Sequence, residues 1–416
     1  MKRSIWTIIL LTIVVDAFYF DVVLKAIPIA NSKMILAVIG LCTFVFKGIQ
    51  NRTTLFSRRI FISAILAVIF SLWCYFAIVA NGSYNREFVH YYASFATWVG
   101  GAFGVYVILK TKHERVDLSV LTRYLALVCT AQCALALIID NVPFVRNFVD
   151  ATFVMATDFL ERGNRLYGIG CALDPAGVRF SGVQVLIAHQ LAQVDAVRRD
   201  SKKSTQLIIA FLAITIVGSM ISRTTIVGTM LGLVYILLSN FRIQKGGFVS
   251  TVQTKSIFLL FFLIAIAATI SVILYNSNQV FQDDLRFGFE GFFNWIETGS
   301  FRTGSTDHLR TMWVWPTTRR GWIIGEGRVG VFETNSDIGY CNYILYCGLI
   351  GMAIYSFYYI YNHLSLIKKF DNFIITAFLL VAVTFIVWAK VTTDIFLVDA
   401  LLFCIDGDKE SPLLKE

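Results

Sequence analysis

The turn Gly218-Ser219-Met220-Ile221-Ser222-Arg223-Thr224-Thr225 joins two apolar runs with almost no linker. Arg223 is therefore held where one helix ends and the next begins. Ser222 can cap the second helix, whose free N–H groups and dipole favour an anion. A planar guanidinium beside that terminus makes bidentate bonds to phosphate or carboxylate, which a lysine ammonium cannot. The alternative is an arginine that snorkels and merely anchors the hairpin.

A second cluster is Arg162-Gly163-Asn164-Arg165, followed by Gly168, Gly170, Pro175, Gly177 and Arg179. Glycine and proline at this density let backbone approach a ligand closely, and the arginines enter the next helix together with Asp174. A tight structural loop is the alternative.

A third is spread over 276–337, which is too long for a simple connector. It holds His308 and Arg310, then Gly325-Glu326-Gly327-Arg328, and ends in Ser336-Asp337-Ile338 where an apolar run starts. Asp337, at the mouth of a membrane helix, is placed to act as general base on a sugar hydroxyl; a plain helix cap is the other reading. Trp295, Trp313, Trp315 and Trp322 suit a sugar face or a bilayer interface. The arginines have a competing use, pairing with Asp283, Asp284, Glu290, Glu297, Asp307, Glu326, Glu333 and Asp337 to hold the loop together.

Helices must carry these groups, because the chain has 416 residues, 57% of them hydrophobic and 15% charged, with mean hydropathy +0.69. Soluble domains do not carry so much apolar surface. The apolar runs are roughly twenty residues long, enough to cross a hydrocarbon core about 30 Å thick. The expected fold is an all-α polytopic membrane protein of about twelve transmembrane helices, with two long outer loops containing short helices. Five spans occupy 1–140, a loop 141–179, four spans 180–275, a larger loop 276–337, and three spans with an inner tail 338–416. The first run lacks a small-residue cleavage site, so it is kept as a span rather than a signal.

Short connections on one side carry Lys2 and Arg3, Lys47 and Arg58, Lys110 and Lys112, Arg198 and Arg199, Lys202 and Lys203, and Lys368 and Lys369. The positive-inside rule puts them in the cytoplasm with both termini, and the two long loops outside. The outer side carries many arginines and only Lys25 and Lys33 as lysines. The cysteines fall mostly inside spans without metal-ligand spacing, so they read as packing thiols.

Taken together, the Ser-Arg-Thr hairpin, the late loop with its Gly-x-Gly element, and the polar residue opening the span that runs from Tyr340 to Gly351 resemble the O-antigen polymerase and O-antigen ligase superfamily. The resemblance covers about 160–360 and rests on order and spacing rather than on one motif. It implies a metal-independent glycosyltransferase of the bacterial inner membrane, working without cofactors at the periplasmic face. Such a polymerase moves a growing glycan from undecaprenyl pyrophosphate to the next lipid-linked repeat unit. The resemblance further implies membrane lipid as surroundings, a chain-length regulator as partner, and no nucleic acid. The implied pyrophosphate ligands are Arg223, Arg179 and Arg310 with Arg165 and Arg328, and the implied base is Asp337 with His308 in reserve. Ligases typically place a histidine near the final span; Asp337 stands there instead, which favours polymerase over ligase. A flippase or other transporter is the alternative from another class, supported by the intramembrane charges Asp16, Asp21, Lys390, Asp394 and Asp399. A multi-span transferase using polyprenyl-phosphate sugars is disfavoured by the absence of acids from the first outer loop.

Overall fold

The computed structural model describes residues 5–28, 31–51, 57–154, 165–193, 201–239, 242–244, 247–249 and 254–408. Of the positions singled out above, Lys2, Arg3, Arg162, Gly163, Asn164, Arg198 and Arg199 lie outside these. Apart from one two-stranded ribbon, Arg242–Gln244 against Gly247–Val249, the regular structure is helical. In chain order the helices are α1 (Ile5–Tyr19), α2 (Ser32–Asn51), α3 (Arg58–Asn81), α4 (Tyr91–Lys110), α5 (Leu118–Asn141), α6 (Pro143–Thr152), α7 (Leu173–Ala192), α8 (Ser201–Ala213) and α9 (Thr225–Ser239). They continue with α10 (Thr254–Ser277), α11 (Gln279–Gly288), α12 (Glu290–Thr298), α13 (Gly304–Thr311), α14 (Arg319–Ile324), α15 (Val331–Thr334), α16 (Gly339–Ser365), α17 (Ile374–Trp388) and α18 (Phe396–Cys404).

Among the described residues, 6 helical segments are long and apolar enough to cross a membrane: Ser32–Gln50, Arg58–Asn81, Tyr91–Lys110, Leu118–Asn141, Lys202–Ile221 and Gly339–Lys368. Four shorter apolar helices accompany them, Ile5–Tyr19, Thr225–Ser239, Ile264–Ser277 and Ile374–Trp388. Helices satisfy all their backbone groups internally, as a hydrocarbon environment demands. The short helices α11 to α15 fall in the late loop, as expected of a segment that long.

The chain divides into two compact units, 1–31 with 119–301, and 32–118 with 302–416. At the centre of the first is α7, buried along most of its length. It packs on α9 so closely that a Cβ at Gly228 would lie 2.2 Å from the Ser181 Cα. The Ser181 hydroxyl accepts from the Gly228 N–H at 3.1 Å and donates to the Thr224 carbonyl at 3.0 Å. Gln184 donates to the Thr229 hydroxyl at 2.8 Å, placing a buried polar clasp beside the serine. Small residues and side-chain hydrogen bonds are what hold helices together where lipid removes the hydrophobic drive between them. After α8 the chain makes a π-helical turn, Ile214–Gly218, and a single further turn, Ser219–Ile221, before reaching Arg223. Such π turns recur at functional sites.

In the second unit α2 crosses α4 at glycines, since a Cβ at Gly40 would stand 1.9 Å from the Gly100 carbonyl oxygen. Helix α16 breaks at Gly348 (φ 67°, ψ −177°). The carbonyls freed there are taken up by the late loop and by α3. The Glu326 N–H donates to Leu345 O at 2.7 Å, the Gly327 N–H to Tyr346 O at 3.1 Å, and the Trp73 indole to Cys347 O at 2.8 Å. Below the break, Tyr355 stacks between Phe70 (4.3 Å) and Trp388 (5.4 Å) at the centre of an aromatic core.

Candidate anion cradle and groove

Helix α11 is fixed at both ends. The Asn278 side chain caps its start by accepting from the Phe281 N–H at 3.1 Å, and Gly288 at its end lies against the backbone of Ser219 and Met220. Its last turn therefore presents Phe287 to the Arg223 turn. Arg223 sits over the Phe287 ring at 4.2 Å, and Arg165 over the same ring at 5.2 Å. The Arg223 Nε donates to the Phe287 carbonyl at 2.9 Å and its Nη2 meets Glu290 Oε2 at 2.6 Å. A guanidinium gains from an aromatic face, more so when desolvated.

On the other side of the turn, Asp174 in the first turn of α7 accepts from the Ser222 hydroxyl at 3.1 Å and from the Thr224 hydroxyl at 2.5 Å. Gly177 makes this approach possible, because a Cβ there would lie 2.5 Å from the Ser222 Oγ. The expected cap is thus diverted in part: the Thr224 N–H reaches the Ser222 oxygen at 3.4 Å, while that hydroxyl serves Asp174. Burial pulls the Arg223 guanidinium below its ordinary value, and Arg165 adds to the fall; Glu290 and Asp174 oppose it. Two cations over one ring, with Glu290 on Arg223 and Asp174 on the adjoining turn, form a cradle whose charge is balanced internally.

Arg179, grouped with these in the sequence, turns elsewhere in the same unit. It pairs with Asp21 at 3.3 Å and lies over Phe20 at 5.7 Å. Leu285 and Phe289, on either side of Phe287 in the chain, line an apolar groove of about 430 Å³, walled by Phe211, Leu233 and Ala267 and completed by Phe293. Phe289 lies in the chain between the two residues that hold Arg223.

One turn before Phe287 on α11 is Asp284, 7% exposed. Asp140 at the end of α5 is held by Arg146 of α6 at 2.5 Å. Burial, then the charges of Asp140 and Asp283, push the Asp284 carboxyl up to about 7, against Arg146. No hydrogen bond reaches this carboxylate from the described residues, whereas Asp283 beside it accepts from Gln279 at 3.3 Å. Sequence reading counted Asp284 only as a partner for arginines; its burial follows from how α11 is clamped, which no local pattern reports.

The remaining expected residues belong to the second unit. Arg328 pairs with Glu326 and donates to the Glu333 carbonyl at 3.3 Å. Arg310 and Asp307 approach to 3.9 Å on α13 with both side chains at least half exposed. His308 is exposed on the same short helix. Asp337 is exposed too. Ser336 accepts from the Ile338 N–H at 3.2 Å, and Asn342 donates to the Ser336 carbonyl at 2.8 Å while accepting from Gly330 N–H at 2.9 Å. Leu309 and Ile338, the chain neighbours of His308 and Asp337, pack in one apolar cluster. Trp315 stacks on Trp322 and meets Trp313 at a tilt, with 5.5 Å between successive centroids.

A buried chain in this unit mimics a catalytic triad: His363 meets Asp399 at 2.8 Å and Thr384 at 3.1 Å. All three are at most 1% exposed, and the Thr384 hydroxyl donates to the Leu380 carbonyl. The set ties α16, α17 and α18 together inside the core, with the Asp399 Oδ2 left without a hydrogen-bond partner among the described residues. Among the described residues no group of three or more His, Cys, Asp or Glu could hold a metal, and the eight cysteines are free. The chain was compared with protein families, curated proteins and solved structures, and matches none of them.

Proposed function

We propose that the protein is a membrane glycosyltransferase that lengthens a polysaccharide, an O-antigen or a capsule, by transferring the growing glycan from undecaprenyl pyrophosphate to a lipid-linked repeat unit at the periplasmic face of a bacterial inner membrane. One observation carries the reading: an apolar groove and a two-arginine cradle share the six-residue segment Leu285–Glu290. A lipid-linked diphosphate has the matching halves. Its isoprenoid tail suits a groove lined by leucine, alanine and phenylalanine. Its diphosphate suits paired guanidinium groups at the end of an apolar wall, where charge is worth most.

On this reading the arriving diphosphate takes Arg223 from Glu290, and Arg165 approaches from the same aromatic face. As the glycan departs, negative charge grows on the leaving diphosphate, and prepositioned guanidinium groups stabilise it. Neither metal nor cofactor enters the scheme. Arg179, turned to Asp21, borders the site through α7 rather than gripping the diphosphate; Arg310 and Arg328 belong to the other unit, and the scheme does not depend on them. A full count of twelve spans, with both termini cytoplasmic, would place the cradle on the outer side.

The test is reconstitution. Purified protein in lipid nanodiscs, given a defined undecaprenyl-pyrophosphate-linked repeat, should yield a ladder of products spaced by one repeat. Transfer to a lipid A core acceptor without a ladder would indicate a ligase. In cells, deletion should leave single repeats at the surface, whereas loss of a flippase removes surface glycan altogether.

A further inference from the structure

We infer that Asp284, supported by Asp140 and Arg146, is the base that takes the proton from the acceptor hydroxyl in the transfer just described, and the inference rests on that reading. Asp284 and Phe287 are three residues apart on α11, so they occupy neighbouring positions on one helix face. The diphosphate seat and the carboxylate are therefore about one helical turn apart, the scale of a sugar ring between a leaving group and an attacking hydroxyl. The carboxylate is largely withdrawn from water and receives no hydrogen bond from the described residues, so its lone pairs remain for a substrate hydroxyl.

Burial, with the charges of Asp140 and Asp283, gives Asp284 this character, and Arg146 opposes it. The charged groups around it are Asp140 from α5, Arg146 from α6 and Asp283 from its own helix. Arg146 is committed to Asp140 at 2.5 Å, and also donates to the Asp140 carbonyl at 3.3 Å. Arg146 is thus committed to Asp140, leaving Asp284 as the buried carboxylate that exchanges a proton. A carboxyl titrating near neutrality is matched to general-base work near the operating pH. Asp140 is a positioning residue in this scheme.

In the step, the acceptor oxygen forms a bond to the anomeric carbon of the donor glycan. The bond from that carbon to the diphosphate oxygen breaks, and its electron pair leaves on the lipid diphosphate beside Arg165 and Arg223. The acceptor proton passes to Asp284 and then to solvent.

The experiment measures chain extension in nanodiscs across pH 5 to 9, about the range in which such a carboxyl titrates, with a defined lipid-linked repeat and with inorganic pyrophosphate as a binding probe. Wild-type extension should show an acidic limb that Asp284→Asn lacks, and that variant should turn over about 100-fold more slowly while pyrophosphate still protects it against heat as it protects wild type. Asp284→Glu should recover the limb. Asp140→Asn should move the limb to lower pH, a displacement that a merely structural role would not produce and that remains readable if Asp284→Asn fails to fold. A wild-type ladder with Asp284→Asn extending at the same rate would overturn the assignment and leave the polymerase reading intact. If wild type makes no ladder, the polymerase reading fails and this assignment falls with it.

Discussion

Arg223 and Phe287 are bound twice, once face to ring at 4.2 Å and once by a hydrogen bond from the Arg223 Nε to the Phe287 carbonyl at 2.9 Å. The two contacts fix the plane of the guanidinium and leave its outer nitrogens to address a carboxylate or a phosphate. Lysine would keep the charge and lose both the stack and the bidentate geometry. Arg223→Lys should therefore lower the rate of chain extension by about 100-fold, with protein amount in the membrane unchanged. Kinetics with a defined lipid-linked repeat would check it; extension within threefold of wild type, roughly the scatter of such rates, would show that charge alone suffices.

Gly348 and Gly330 separate two costs that usually come together. Both have positive φ, 67° and 85°, but a Cβ at Gly348 would lie 2.3 Å from the Ile323 carbonyl oxygen, while nothing stands within 4 Å of one at Gly330. Gly330→Ala should lose only the backbone term, about 1–3 kcal/mol. Gly348→Ala should lose that and also drive the late loop from the broken helix, exposing the Leu345 and Tyr346 carbonyls. Thermal unfolding in detergent should rank Gly348→Ala well below Gly330→Ala, and equal losses would mean the loop is not braced on the break.

Much of the fold was legible because apolar runs of helical length leave few alternatives, and the apolar helices fall where those runs do. The site was legible in part. Arg223 stood out because a guanidinium in a tight turn between two apolar helices needs a partner, and the partner is there. Arg165 and Phe287 are far apart in sequence, and nothing local announces that they share a face. Gly325-Glu326-Gly327 contributes to the family resemblance as a Gly-x-Gly element, and its backbone is spent on the carbonyls released at Gly348. Asp337 stands where hydropathy rises, yet Ser336 and Asn342 are the polar residues buried there and Asp337 is exposed. Local sequence reports charge and flexibility; which group is withdrawn from water is decided by the packing of distant helices.

Asp284 also gives stability a pH dependence of definite sign. Its carboxyl titrates near 7 in the fold against an ordinary value of 3.8, so between these the folded chain holds a proton that the unfolded chain has released. Stability from this group therefore falls as pH rises from about 4 to about 7 and is level above. Asp284→Asn removes the dependence. Melting temperatures of wild type and variant should converge at pH 4 and separate in favour of the variant by pH 7. A constant difference across that range would mean the carboxyl is not withdrawn from water.

The groove and the cradle can be perturbed apart, and the kinetic signatures should differ. Ala267 lines the groove from α10, whereas Phe287 is on α11 and the arginines over its ring come from the turn before α9 and the segment before α7. Phenylalanine in its place would occupy part of the 430 Å³ without touching a charged group. An isoprenoid that binds equally in the ground state and in the transition state contributes to KM alone. Ala267→Phe should then raise KM for the lipid-linked donor about 10-fold, a loss of about 1.4 kcal/mol in binding, and leave kcat within twofold, roughly the error of such measurements. Arg223→Lys should do the reverse, lowering kcat with a smaller change in KM. A kcat defect in Ala267→Phe would mean that the groove shapes the reacting geometry itself, and an unchanged KM would mean that the lipid tail lies elsewhere.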